Sequence, residues 1–233
     1  MIKKILIFLF LLNSFCVGQI YEINILGYPI ANIKQEMHKN KINHTIKSKG
    51  IIDLFWPIKN VYSTTFDSTN YNIFSFKKEI SQTDYKLKTS SEIDSLNNLI
   101  YNNKDIIKLK KNTKTIFTLL SMIQKMPYSY LDTKWFNYEH ESNIGKARFI
   151  WADSSFIWNG NDSIICDRYR LDIKLLKPLK NIYDKTDYFM ENIINENIIR
   201  EIWVSKKKPK HIMYAKIKSK NFPLPIYVKL KES

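Results

Sequence analysis

Chemistry needs reactive side chains held together, and the candidates in this chain are few. Four histidines occur, His38, His44, His140 and His211. No two stand at the spacing that puts metal ligands on one helix face, and no cysteine or carboxylate pair completes a zinc pattern. His140 lies between Glu139 and Glu141, a trio of the right types for a metal or a proton relay. Neighbours in a strand point to opposite faces, so the trio is expected to form a solvated loop. A serine nucleophile needs a strained turn such as Gly-x-Ser-x-Gly, which is absent. Cys166 with a distant histidine is formally a thiol pair, but it ends the apolar run Ser163-Ile164-Ile165-Cys166 and reads as a small buried side chain. Asp67, Asp153, Asp162 and Asp167 read as residues of turns or strand ends, with paired carboxylates for glycoside cleavage as the enzymatic alternative. Five scattered glycines leave no phosphate-binding loop. No catalytic residue, metal site or cofactor is expected, and the chain is not expected to be an enzyme.

Aromatic residues offer more. Trp56, Trp135, Phe136, Trp151, Phe156 and Trp158 cluster or flank strand-like runs. They suit ordinary sheet packing. In a curved sheet with an apolar hollow, some of them would surround a lipid-like ligand.

The elements that must position these residues are mostly strands. Tyr21, Ile23 and Ile25 alternate with polar residues, as do Tyr85 and Leu87, Leu171, Ile173 and Leu175, and Leu224, Ile226, Val228 and Leu230. Ala147, Phe149 and Trp151 share one strand face. Ile198, Ile202 and Val204 share another, with Glu201, Trp203 and Ser205 opposite. Such period-two runs bury one face and wet the other, as antiparallel strands do. Gly27-Tyr28-Pro29 separates a first strand from a second near residues 30–37. Asp67-Ser68-Thr69-Asn70 and Asn159-Gly160-Asn161-Asp162 read as hairpin turns. Two segments break the pattern. Ile116, Leu119, Leu120 and Ile123 have helical spacing and predict an amphipathic helix over 115–126, stopped by Pro127. Residues 50–56, before Pro57, predict a short helical turn. The expected fold is mainly β: a single curved antiparallel sheet, a half-barrel or open barrel, with one short helix. No linker composition or repeat divides residues 19–233, which read as one domain.

Lys3 and Lys4 precede an apolar run from Ile5 to Leu12, and small residues follow at Cys16 and Gly18. This is the pattern of a secretory signal peptide over residues 1–18, cleaved before Gln19. The run is too short to span a bilayer, so no transmembrane segment is expected in the mature chain. Lipidation of Cys16 is the alternative, although Phe15 and Asn13 stand where a lipoprotein signal carries a small residue and leucine. Removal of the leader leaves Cys166 as the lone cysteine, so no internal disulfide can form.

The 233 residues include 37 basic and 22 acidic side chains, a net charge of +15, with a pI near 9.6. Apolar residues at 44% exclude a disordered tail, and a mean hydropathy of −0.32 excludes a multi-spanning membrane protein. The lysines are spread along the chain together with isoleucine and asparagine, as a low-GC genome would produce. The densest group, Lys206-Lys207-Lys208-Pro209-Lys210, falls between strand-like runs and reads as a solvated turn. A contact to acidic envelope lipid or polysaccharide is the functional alternative. No nucleic-acid motif is present, and nucleic acid is not an expected partner.

Four stretches give a family resemblance: Tyr21 to Gly27; Gly50 to Phe55 leading into Trp56-Pro57 and Val61-Tyr62; Phe117 to Ile123; and Ile202 to Ser205, followed by Pro209 and a last strand pair. Together they resemble the bacterial domain of unknown function numbered 3108, a family of exported β-rich proteins. Ala31 stands where that family commonly has a second glycine, and Lys206 to Lys208 replace an acidic or polar turn. The resemblance implies a strongly curved antiparallel sheet with the helix on its concave side, and it carries no catalytic position. The leading expectation is an exported, non-enzymatic envelope protein, periplasmic or outer-membrane-associated, that binds a hydrophobic or amphipathic ligand in the concave face. The alternative is a protein–protein or scaffold module whose concave face is filled by its own side chains, including Leu119, Leu120 and Ile123. An envelope hydrolase is the third reading.

Overall fold

The computed structural model describes residues 17–83, 85–102, 105–177, 187–219 and 224–232. Most of the expected leader, and Cys16 with it, lies outside them. Val17 and Gly18 are already paired with Met37 and Glu36, so cleavage before Gln19 would trim the first ladder by two residues.

Eight strands form a meander: β1 (Val17–Ile25), β2 (Tyr28–Met37), β3 (Lys41–Ser48), β4 (Ile58–Phe66), β5 (Ile73–Gln82), β6 (Tyr85–Ile93), β7 (Asn98–Tyr101) and β8 (Asp105–Lys108). Seven more follow: β9 (Thr113–Lys114), β10 (Phe136–His140), β11 (Asn143–Trp158), β12 (Ser163–Leu175), β13 (Ile198–Ser205), β14 (Ile212–Ser219) and β15 (Ile226–Glu232). All belong to one sheet, ordered β8 to β1, then β15 to β9. The two halves join where β15 pairs antiparallel with β1, Val228 opposite Ile23. Every pairing between these strands is antiparallel except the two-residue contact of β9 with β10.

The edges of this sheet, β8 and β9, are consecutive in the chain. Only residues 109–112 separate them, a reach of at most roughly 20 Å. A flat sheet of this width cannot bring its edges that close, so the sheet coils on itself into an open barrel. The coil is tight enough for side chains to meet across it: Tyr101 on β7 donates to Glu139 on β10 at 2.5 Å, and Asn72, before β5, donates to Asn112, before β9, at 2.9 Å.

Among the described residues four helices accompany the sheet: α1 (Ile51–Phe55), α2 (Ile116–Ile123), α3 (Tyr128–Leu131) and α4 (Tyr188–Ile194). The first two are where the sequence predicts them. α3 and α4 carry no recognisable helical pattern. α2 is not half-solvated, as an amphipathic helix would be. Seven of its eight residues are buried, and it packs on β3, β4, β9 and β10 inside the barrel. Its polar side chains tolerate this because they bond within the helix. Thr115 and Thr118 form a reciprocal cap, Ser121 donates to the Phe117 carbonyl at 3.0 Å, and Gln124 donates to the Leu120 carbonyl at 3.1 Å. Phe117 seats its ring against His44, Tyr62 and Phe76, with centroids 5.1–5.8 Å apart.

Two expectations about strand faces need correction. Trp203 and Ser205 were expected to face water, but both are buried. Trp203 is covered edge-on by Tyr214 and by the Arg168 guanidinium, and its indole nitrogen donates to Ser155 at 3.0 Å. Asp167 is not at a turn or strand end. It sits inside β12, buried, accepting from Trp151 and Ser154.

Candidate functional site

The inner face of the sheet divides into an apolar end and a polar wall, with α2 between them. The apolar end contains a cavity of about 390 Å³. Its floor comes from inward positions of the first strands: Ile23 and Ile25 on β1, Ile30 and Ile33 on β2, Ile46 on β3 and Ile58 on β4. Ile217 on β14, with Ile226 and Val228 on β15, continues the curve. Phe189 and Ile193 of α4 close one side; Ile52 and Trp56 at α1 close the other. Among the described residues the wall is ten isoleucines with Val228, Phe189 and Trp56, and no charged group. Ile52 is 38% exposed and Trp56 50%, so the cavity reaches solvent beside α1.

A second cavity of about 130 Å³ lies deeper and shares Ile33, Ile193, Ile217 and Val228 with the first. Leu120 of α2 forms part of its wall, and polar groups now enter: Tyr21, Gln35, His44, Arg200 and Glu201. Tyr21, Gln35 and His44 belong to a connected network. His44 Nε2 bonds Gln35 at 3.1 Å, Gln35 donates to Gln19 at 2.6 Å, Tyr21 donates to Gln19 at 2.7 Å, and Gln19 contacts His211. His44 Nδ1 has no hydrogen-bond partner. Burial holds the His44 imidazole down to about 4, so the ring is neutral at physiological pH.

Specific local devices fix the two helices around the opening. Gly50 has φ 62° and ψ −137°, a conformation open to glycine alone, which turns the chain out of β3. Ser48 then ties both ends of the α1 excursion: its hydroxyl donates to Asp53 at 2.5 Å and accepts from the Ile58 amide at 2.8 Å. α4 is held by Arg200, buried on β13. That guanidinium donates to the carbonyls of Ile193, Asn195, Ile198 and Leu171. Burial brings it down to about 10, still charged at neutral pH.

The polar wall lies across α2. β5 sends Phe76, Lys78 and Ile80 inward in turn, so a lysine occupies a core position. Lys78 pairs with Glu141 and lies 3.8 Å from Asp187. Asp187 accepts from Tyr62 at 2.7 Å and caps the Met190 amide of α4. Glu139 accepts from Tyr101 and from the Ser142 amide, and burial pushes its carboxyl up to about 7. Burial also raises Asp187 and holds His140 down to about 4. Thr64, Thr89 and Ser91, on the same face, have hydroxyls without a hydrogen-bond partner.

The expected solvated loop at residues 139–141 is therefore corrected. Glu139 and His140 are buried, and Glu141 does approach His140. The strand argument fails because Glu141 and Ser142 adopt positive φ, 45° and 69°, and the turn swings Glu141 to within 3.7 Å of His140. Among the described residues no group of three or more His, Cys, Asp or Glu side chains is placed to hold a metal. Of the turn aspartates, Asp67 and Asp162 are in turns, while Asp153 pairs with Arg168 in mid-hairpin. Cys166 is buried. The aromatic group is scattered: Phe136 is in the core, Trp56 borders the cavity, Trp135 lies under Arg148, Trp151 donates to Asp167, and Phe156 and Trp158 are exposed at the tip of the β11–β12 hairpin. Sequence reasoning missed Lys78, Glu141 and Asp187 as a cluster. The one available signal was a lysine between two apolar residues at inward parity.

The architecture defines the class before any sequence likeness does: a β-rich, barrel-like domain built on one open sheet. A crystal structure of a β-barrel-like protein of the domain of unknown function DUF1849, from Brucella abortus, has this fold. It matches with a TM-score of 0.57 over 91% of this chain and 94% of that one, at 6% identity, a likeness of fold alone. No family model matches the chain, and no curated protein matches it in sequence. No described helix is long and apolar enough to cross a membrane.

Proposed function

We propose that this chain is an exported, non-enzymatic envelope protein that holds a hydrophobic or amphipathic ligand in the concave face of its sheet. The observation that carries the reading is the cavity wall, ten isoleucines with Val, Phe and Trp around about 390 Å³. That volume falls in the ~300–1,000 Å³ range of small-molecule sites. Each methylene moved from water into such a wall gains about 0.8 kcal/mol. The polar groups of the deeper chamber, Gln35 and His44 among them, would meet the head of an amphipathic ligand. Export and a periplasmic or outer-membrane-associated location belong to the same proposal and rest on the leader at residues 1–18. Kinship with the family numbered 3108 also belongs to it, supported by the four stretches and a curved β architecture. Native mass spectrometry of gently purified protein tests the reading. A bound adduct of lipid-like mass, released by organic solvent, is expected. A bare mass, together with no uptake of fatty acids of 12 to 18 carbons, would overturn it.

One observation favours a second reading. α2 buries Phe117, Leu119, Met122 and Ile123 against the concave face, as a self-filled protein–protein module would require. Pull-down from envelope extracts that recovered a stoichiometric partner, with no lipid adduct, would select that reading.

A further inference from the structure

α1 departs from the burial rule that the rest of the sheet obeys. None of its residues is buried; Ile51, Leu54 and Phe55 expose 75%, 76% and 76% of their surfaces. Leu26 at 63% and Tyr28 at 73% project from the β1–β2 turn. That turn and α1 lie at the same end of the barrel, because the Lys49 amide donates to the Ile30 carbonyl at 2.9 Å. With Trp56 these side chains make one apolar patch, and Trp56 carries it into the cavity wall. Contiguous exposed apolar surface of this kind marks an interaction site.

The charge beside the patch says what it meets. On the outer face just below α1, Lys47 stands directly opposite Lys59, Lys59 opposite Ser81, and Ser81 opposite Lys86. The three lysines are exposed and have no ion-pair partner among the described residues. Like charges directly opposite in a sheet are destabilising, so the Lys47–Lys59 pair costs stability. Asp53, the lone acid in residues 47–59, is engaged by Ser48. An apolar wedge with Trp and Tyr, bordered by unpaired lysines, is complementary to an anionic bilayer, whose headgroups take the cations and whose acyl region takes the wedge.

We propose that α1 and the β1–β2 turn dock this protein on an anionic lipid bilayer, placing the mouth of the apolar cavity against the acyl chains. The inference rests on the proposed function for the purpose of the docking, although its own observations are the patch and the lysine row.

Co-sedimentation of the purified protein with phosphatidylcholine vesicles, with and without 30% phosphatidylglycerol, tests it. Binding to the anionic vesicles is expected, at least tenfold weaker without phosphatidylglycerol or in 0.5 M salt. L54E/F55E should weaken it at least tenfold, and K47E/K59E should reduce it to the level of neutral vesicles. F156E/W158E, at the opposite end of the barrel, should leave it unchanged. Circular dichroism checks that each variant folds. Absence of binding, insensitivity to L54E/F55E, or loss with F156E/W158E instead would overturn the inference. So would a solution dimer dissolved by L54E/F55E in the absence of vesicle binding, which would assign the patch to a second copy. A dansyl fatty acid titrated without vesicles reads the cavity separately. Docking without uptake would overturn the proposed function alone, and uptake without docking would overturn this inference alone.

Discussion

Lys78 shows how far a single residue can stand from its usual environment. It is 1% exposed, between Phe76 and Ile80, and its ammonium is tolerated because Glu141 and Asp187 face it. Removing one partner from such a group leaves uncompensated buried charge, which costs about 3–5 kcal/mol. Lys78→Met should therefore destabilise the protein by roughly that amount in urea unfolding. A loss below about 1 kcal/mol would mean that the cluster contributes no ion pairing. The carboxyl of Glu139 sets a pH dependence of its own. Its folded value is about 7, raised by burial, against an ordinary 4.5. The folded state then holds the proton more tightly than the unfolded chain, so this contribution is full below 4.5 and is lost as pH rises toward 7. The loss is on the order of 3 kcal/mol. Glu139→Gln should flatten stability between pH 4.5 and 7 while keeping an acceptor for Tyr101. His44 and His140 act in the opposite sense: both are held near 4 by burial, so stability falls as pH drops from 6.5 to 4. Thermal unfolding across pH 4 to 8, with Glu139→Gln beside the parent, separates the two trends. An unchanged slope in the variant above pH 5 would remove Glu139 from the account.

At the scale of elements, strands were legible because period-two alternation records which face is buried. The helix at 116–123 was legible from its three- and four-residue spacing, and α1 from the stretch before Pro57. What alternation cannot record is the content of the inner face. A strand that sends Asn60, Tyr62 and Thr64 inward reads like a wet strand, yet all three are buried on β4. It equally cannot record cover on the outer face, which is why Trp203 beneath Tyr214 was misread. α4 escaped because its position depends on Arg200, which reaches back from β13 to the Ile193 and Asn195 carbonyls, a tie that leaves no helical periodicity. The cavity itself was invisible: its isoleucines look like ordinary core until the curvature holds them apart. One close approach can be tested at this scale. Gly145 on β11 faces Leu175 on β12, and a Cβ there would lie 2.4 Å from the Lys174 carbonyl oxygen. Backbone cannot yield as a side-chain tip does, so Gly145→Ala should destabilise by about 1–3 kcal/mol, read from the urea midpoint. A neutral result would mean that the β11–β12 ladder is looser than its register implies.

The whole molecule poses a question of volume. A coiled sheet of this size can fill its interior with side chains, and around α2 it does so. At the other end it stops, leaving apolar walls that forfeit packing contacts across a void. Two facts argue that the void serves a purpose and is not a packing defect. It opens at α1, where exposed apolar residues cost solubility, and the fold holds its two flanking helices with dedicated polar anchors, Ser48 with Asp53 and Arg200 with four carbonyls. A defect would relax when filled; a site would lose its ligand. Ile217 and Val228 border both cavities and point into them from adjacent strands. Replacing both with phenylalanine adds apolar volume where room exists. Cavity filling of this kind commonly contributes about 0.5–2 kcal/mol. The expected outcome is a protein at least as stable as the parent in urea unfolding, with uptake of a dansyl fatty acid reduced at least tenfold. Retained uptake in a stable variant would move the ligand elsewhere. Marked destabilisation would mean that the walls are already in contact in solution and that the hollow is not held open.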